Sequence, residues 1–405
     1  MSACILLGNG AASTEKADLL TQRDQPRSNL VATETVRRSN TPHRPCSGVC
    51  ARLGLLDDYG LRRTLMQTRS QLPLLFAATH HGVAVFQRLG RRWVQTHGGL
   101  DRHHVTSVAT DGHDVIVGTR DGAYRSTDRG ASWWPASEGL TERHVRWVAL
   151  RVSAEGRIST DAASNTPGAF IGTEPAAIYV AQDVQKGWRR CDEVAQLRDR
   201  LGWYLPYSPE AGCVRGLAFH GDRGYAAVEQ GGLLRSDDGG EHWQLVAGSD
   251  GVPRTPTDPT MIHPDVHSVV VHASSPDRVI APTGGGLYVS DDGGAHWRRL
   301  TDRYCRAVWV DADDADHMVL GPAAGVARDG RIEQSRDGGK TWQPAMDECD
   351  APWRHRMVER FYQIGDELMA VLSDGELITA PLSTLRWHVV LPAVQDVNAI
   401  ATLGI

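Results

Sequence analysis

No stretch of this 405-residue chain approaches the roughly 18 consecutive apolar residues that a membrane-spanning helix needs, so a membrane partner is not expected. Basic excess is missing too. Lys and Arg number 43 against 49 Asp and Glu, and a net charge of -6 gives no electrostatic reason to expect nucleic acid. The opening "MSACILLGNGAASTEK" has only a short apolar run and no basic segment before it, so it does not read as a secretory signal. Cysteine is sparse and odd in number, with seven scattered as Cys4, Cys46, Cys50, Cys191, Cys213, Cys305 and Cys349. That pattern argues against a disulfide framework and for a reducing, cytoplasmic setting. "CSGVC" (Cys46 to Cys50) has half the spacing of a metal site, but no second pair exists to complete it.

What remains is globular in composition, with 41% hydrophobic and 23% charged residues. Residues 1 to about 70 mix Arg, Ser, Thr, Gln and Asn without periodicity, which predicts a disordered or mis-assigned segment. Met66 is then the expected true initiator, and residues 71–405 the folded domain.

The domain repeats itself. "SDDGGEHW" (Ser236 to Trp243) returns as "SDDGGAHW" (Ser290 to Trp297), with looser copies "STDRGASW" (Ser126 to Trp133) and "SRDGGKTW" (Ser335 to Trp342). Ser and Asp two residues apart can bond nearby backbone N–H groups and close a turn, and Gly supplies the positive φ such a turn needs. Trp then starts a strand and buries its ring. Degenerate copies end at Trp93, Trp188 and Trp387, so the marker recurs roughly every 40 to 55 residues. Seven units of this length, each mostly strand, predict an all-β fold: a seven-bladed β-propeller of four-stranded antiparallel blades. The first unit begins directly at its second strand, "LLFAAT", whereas the chain ends on a spare inner strand, "DVNAIATLGI". The C-terminal strand is therefore expected to close the ring, with residues 396–403 beside 74–79.

Four Ser-x-Asp-x-Gly-x-x-Trp boxes on seven blades resemble the Asp-box (BNR) repeat propellers, a superfamily that includes sialidases, xyloglucan-active glycosidases, sortilin-type receptors and the photosystem II assembly factor. The resemblance covers about residues 72–405 and implies that the boxes lie opposite the ligand face and are structural. The Phe/Tyr-Arg-Ile-Pro motif of sialidases, normally six-bladed, is absent.

Aligning the seven inner strands gives one apolar position: Val105, Val145, Val214, Val266, Cys305, Val358 and Val397. By strand alternation the residues on either side share the other face. Before it stand His104, His144, Cys213, Asp265, Tyr304, Met357 and Asp396; after it stand Thr106, Arg146, Arg215, His267, Arg306, Glu359 and Asn398. Most are polar or ionisable, and the strand order places them at the channel mouth, on the rim opposite the boxes. His80, Arg120, Glu174, Glu229 and Asp374 are expected nearby from the loops joining the second and third strands.

Three chemistries are open to such a ring. Arg146, Arg215 and Arg306, with Asn398 and Asp396, could bind a small polar or anionic molecule, since planar guanidinium forks suit carboxylate or phosphate. Otherwise each arginine pairs with Asp265, Glu359 or Asp396 in a network that only closes the propeller. By analogy with the sialidases that the boxes resemble, Tyr304 and Glu359 would serve as nucleophile and base, with Asp265 as acid. His104, His144 and His267, helped by His80 or His263, could ligate a divalent metal. The expected function is a small-molecule-binding propeller, an enzyme of glycosidase, hydrolase or lyase type acting on a polar or anionic substrate. The alternatives are a propeller binding a protein partner, as the assembly-factor and receptor relatives imply, and a histidine-ligated metal enzyme.

Overall fold

The computed structural model describes residues 73–404 apart from 91, 112–113, 152–167, 347–351 and 391–393. The expectations for residues 1–70, including Met66 and the "CSGVC" pair, lie outside the described residues. Among the described residues, Cys191, Cys213 and Cys305 are buried free thiols, and no helix is long and apolar enough to cross a membrane.

Seven four-stranded antiparallel sheets follow one another around a channel, forming a seven-bladed β-propeller. Their inner strands are Val397–Leu403 in blade I, Val105–Asp111 in blade II, His144–Leu150 in blade III and Cys213–His220 in blade IV. Those of blades V to VII are Val270–His272, Tyr304–Val310 and Val358–Ile364. Blade I closes as the sequence predicts. Leu74 pairs with Leu403, Phe76 with Ala401 and Thr79 with Val397, leaving no open edge between the first and last blades.

The core lies between blades, and strand alternation builds it. Along Leu74–Thr79, Phe76 and Ala78 pack toward blade II with Val105 and Val117, while Leu75 and Ala77 pack toward blade VII with Met369 and Leu377. Close approach is bought with glycine: a Cβ at Gly118 would overlap Val145 of the next blade, and one at Gly172 would overlap Val214.

The four boxes repeat one hydrogen-bond circuit on the rim away from the mouth. In the second, the Gly240 N–H donates to Ser236 Oγ (2.9 Å) and the His242 N–H to Asp238 Oδ1 (3.0 Å). Ser126–Asp128, Ser290–Asp292 and Ser335–Asp337 do the same, with distances of 2.7 to 2.9 Å. Trp243 and Trp297 are each 3% exposed, and Trp243 Nε1 donates to the Gly240 carbonyl.

The connection from blade III to blade IV is partly helical. Its first half is a helix, α1 (Asp192–Leu201). Asp192 and Glu193 occupy the positive N-terminal turn, Arg198 and Arg200 the last turn, and Gly202 ends it in the left-handed conformation at φ 67°. Val194 and Leu197 pack with Trp203 and Val228 against the blade III–IV core.

Candidate functional site

Every inner strand slips register at the same place. Val105 and Ser107 pair with Thr119 and Gly118, leaving Thr106 extra; Arg146, Arg215, Glu359 and Asn398 are left over identically in blades III, IV, VII and I. In blade VI, Arg306 and Ala307 oppose one partner residue between the Cys305 and Val308 pairs. In blade V the slip falls between the Val266–Thr283 bridge and the Val270–Ile280 pair, beside His267. A β-bulge re-aims the unpaired side chain, so the fold repeats one backbone slot seven times and fills it with a different residue in most blades. The aligned apolar residues beneath are buried in all seven blades.

The slot residues also stitch blade to blade. Asn398 Nδ2 donates to the Val105 carbonyl (2.7 Å), Thr106 Oγ1 to the Val145 carbonyl (2.6 Å), and Ser268, next to the blade V slot, to the Arg306 carbonyl (2.8 Å).

The mouth is divided in two. One half holds a cavity of about 360 Å³. Of the residues named from sequence, Arg146, Arg215, Arg306, Glu359, Asp396, Asn398, His104 and His144 line it. Tyr304, Asp265 and His267 do not; they lie in the other half, under blades V and VI. The proposed acid–base trio and the histidine trio are therefore each split between the two halves.

The three arginines carry carboxylates, and of the expected partners Glu359 is the one that serves. Arg146 pairs with Glu174 (2.9 Å), Arg215 with Glu229 (3.1 Å) and, across the channel, with Glu359 (3.5 Å), and Arg306 with Glu359 (2.7 Å). Among the described residues Asp265 and Asp396 take no arginine; Asp396 sits at the rim, with His80 at 3.9 Å and His81 at 3.7 Å. Glu174 and Glu229 stand directly across from His144 and Cys213 at the end of the second strand, a position that sequence reasoning placed nearby without assigning it a partner. The chain leaving α1 locks both, because Ser208 donates to Glu174 (2.8 Å) and Tyr207 to Glu229 (2.8 Å). Burial opposes the charge on Arg215, but Glu229 and Glu359 overcome it and hold its pKa well above the ordinary value.

Arg360 is the cavity residue that sequence reasoning missed. It follows the bulge in blade VII, lines the cavity and reaches across the channel to lay its guanidinium 4.2 Å from the Trp147 ring centroid in blade III. Among the described residues it has no carboxylate partner. Burial, with Arg215 and Arg146 nearby, draws its pKa below the ordinary value.

Two cavity histidines, His104 and His144, are held neutral. Burial, then the positive charge of Arg120 and the neighbouring His80, His144 and Arg146, lowers His104 to about 4. Asn398 Nδ2, which can only donate, lies 3.3 Å from His104 Nε2, placing the ring proton on Nδ1. His144 also falls to about 4 through burial and Arg146, against the opposing pull of Glu174.

In the closed half, burial and then the nearby Glu229 raise Asp265 to about 7, and burial pushes His267 well below its usual value. Burial lifts Tyr304 to about 12, and its hydroxyl accepts from Arg306 Nε (2.7 Å). A larger cavity of about 740 Å³, at the outer end of blades II and III, is bounded by Leu150 and Gly168, which flank the undescribed residues 152–167, and gathers no comparable set of ionisable groups.

No protein-family model matches the chain, and no curated protein does. Among solved structures it is similar to an ancestral GH74 enzyme, at 18% identity and a TM-score of 0.50 over 68% of this chain; it spans 36% of the length of that enzyme. It is also similar to YCF48 bound to D1 peptide, at 15% identity and a TM-score of 0.50, covering 77% of this chain and 92% of that one. Both are β-propellers, and at these identities the likeness is one of fold.

Proposed function

We propose that the open half of the mouth binds a small anionic molecule through a carboxylate or phosphate group. The observation that carries this reading is Arg360. Leaving a guanidinium in a confined site without a carboxylate is costly, and an arriving anion removes that cost. Of the other cavity arginines, Arg146, Arg215 and Arg306 are already balanced and Arg120 is exposed to solvent, so they shape the cavity and add field, while Arg360 supplies the free fork. His104, His144, Thr106 and Asn398 provide neutral polar walls for hydroxyl groups. The volume sits at the lower end of the roughly 300–1,000 Å³ of ligand pockets, the size of a sugar acid or a phosphate monoester.

Binding is the better-supported half of the expected function, and turnover the weaker. Glu359 has both oxygens engaged by arginines, Tyr304 holds its proton tightly, and Asp265 lies outside the cavity. A second reading keeps the same anion site but presents the carboxylate on a peptide. Tyr204 and Tyr207, 49% and 56% exposed on the connection that locks Glu174 and Glu229, offer aromatic surface to such a partner. Membership of the Asp-box superfamily is part of this proposal, and the four identical box circuits support it.

A thermal-shift screen of sugar acids, phosphate monoesters and a short peptide with free or amidated C-terminus selects the ligand, and calorimetric titration measures it. Arg360→Ala should weaken binding by roughly 1.5–3 kcal/mol, the scale of a hydrogen bond to a charged group, without lowering the melting temperature. An Arg360→Ala protein that binds as tightly as the parent ends the proposal.

A further inference from the structure

We propose that Glu229, Asp265 and His267, in the closed half of the mouth, form a site for one divalent transition-metal cation of the Zn²⁺ or Mn²⁺ kind. One donor atom from each of the three lies within 4.8 Å of the other two. His267 Nε2 stands 3.5 Å from Asp265 Oδ2 without making a hydrogen bond. Two ligands at about 2.1 Å on one tetrahedral ion are roughly 3.4 Å apart, so the spacing is loose for a hydrogen bond and right for a shared metal.

A second observation points the same way. His267 is 3% exposed, yet neither of its ring nitrogens has a hydrogen-bond partner, and Asp265 Oδ1 is buried without one. Buried polar atoms are almost always satisfied, and orphans on two adjacent side chains that also bring one donor each together with Glu229 call for an absent partner. A cation satisfies the carboxylate and the imidazole lone pair together.

The surroundings are arranged for it. Glu229 Oε2 accepts from both Arg215 and Tyr207, which fixes the carboxylate, and among the described residues no hydrogen bond takes up Oε1. Gly284 makes room, since a Cβ there would overlap Asp265 Oδ2. Two carboxylate oxygens and one imidazole nitrogen suit Zn²⁺ or Mn²⁺ better than Ca²⁺ or Cu⁺, and three protein ligands leave a position for water. This is not the histidine set suggested by the ring pattern, because His104 and His144 belong to the other half. It stands independently of the anion cavity, to which Arg215 joins it through Glu229 and Glu359.

The test is calorimetric titration of the full chain, stripped with a chelator, against Zn²⁺ and Mn²⁺, with Mg²⁺ as comparison. One equivalent of Zn²⁺ or Mn²⁺ should bind, at least 100-fold more weakly in His267→Ala and Asp265→Asn and unchanged in Arg360→Ala. If either ligand variant fails to melt cooperatively, Co²⁺ absorption of the parent chain decides. Visible bands of a bound ion, without thiolate charge transfer from nearby Cys213, support the site; the spectrum of aqueous Co²⁺ overturns it. No saturable uptake by the parent chain, uptake unchanged in both folded ligand variants, or uptake lost instead in His104→Ala would also overturn it.

Discussion

The two rims of this propeller share their backbone and differ in their side chains. On the box rim, Ser126, Ser236, Ser290 and Ser335 make one circuit with the same donors and nearly the same distances. On the mouth rim the bulged slot recurs in every blade, yet it holds Thr106, Arg146, Arg215, His267, Arg306, Glu359 and Asn398. A turn has few ways to satisfy its N–H groups, so the chain repeats the solution that works. A bulge into an open channel imposes no such identity and leaves each side chain free to differ. Sameness marks structure here, and departure from sameness marks the site.

The largest expected effect removes both rims together. Deleting residues 396–405 strips the inner strand from blade I and exposes Leu75, Phe76 and Ala77, which are fully buried. Circular dichroism should then show no cooperative thermal transition; a truncated chain melting like the parent would mean that the ring does not depend on this closure. Next comes the box rim alone. Trp243→Ala should cost about 3–5 kcal/mol through lost packing against Phe219 and its neighbours, measured by denaturant unfolding. Trp342→Ala, whose ring is only partly buried, should cost less. Neither should change anion affinity while folded, and a selective affinity loss in folded Trp243→Ala would blur the division of labour between rims.

How far the sequence could be read follows the same division. The Trp spacing yields the seven blades and the closing strand, because hydrophobic anchors and turn chemistry are local and periodic. The aligned apolar position is equally legible, and it puts nine of the fourteen flanking ring residues on the cavity. Strict alternation fails at the bulge, where one extra residue per strand shifts the parity. Arg360 is therefore missing from the aligned ring positions, although it crosses the channel to Trp147. The partners of the arginines escaped for another reason: which carboxylate reaches Arg146 or Arg215 depends on the connection through α1, a tertiary placement that no spacing reveals. That helix itself was legible, with Asp192 and Glu193 at its start, Arg198 and Arg200 near its end, and Gly202 just beyond.

The smallest effect is in the pH dependence, and it carries opposite signs for the cavity histidines His104 and His144 and for His242 on the box rim. His104 and His144 are held at about 4 against an ordinary 6.5, so between pH 6.5 and 4 the unfolded chain binds protons that the folded mouth refuses. Stability must fall as the solution is acidified through that window, by about 1 kcal/mol per histidine once the full shift is discounted for partial solvent screening. His242 on the box rim is raised instead, through its hydrogen bond and charge pairing with Asp238, so its contribution is complete below 6.5 and is lost as pH rises through its folded value. The box carboxylates Asp128, Asp238, Asp292 and Asp337, held at about 2, lose their contribution only as pH falls from 3.8 toward 2, below the histidine window. Denaturant unfolding at half-unit steps from pH 4 to 8 separates these terms when each variant is read as a difference from the parent. His104→Gln and His144→Gln should flatten the acid side of the profile, and His242→Gln should remove stability on that side alone. If His104→Gln and His242→Gln shift the profile in the same direction, the contrast between cavity histidines that exclude protons and a box histidine that welcomes one is wrong.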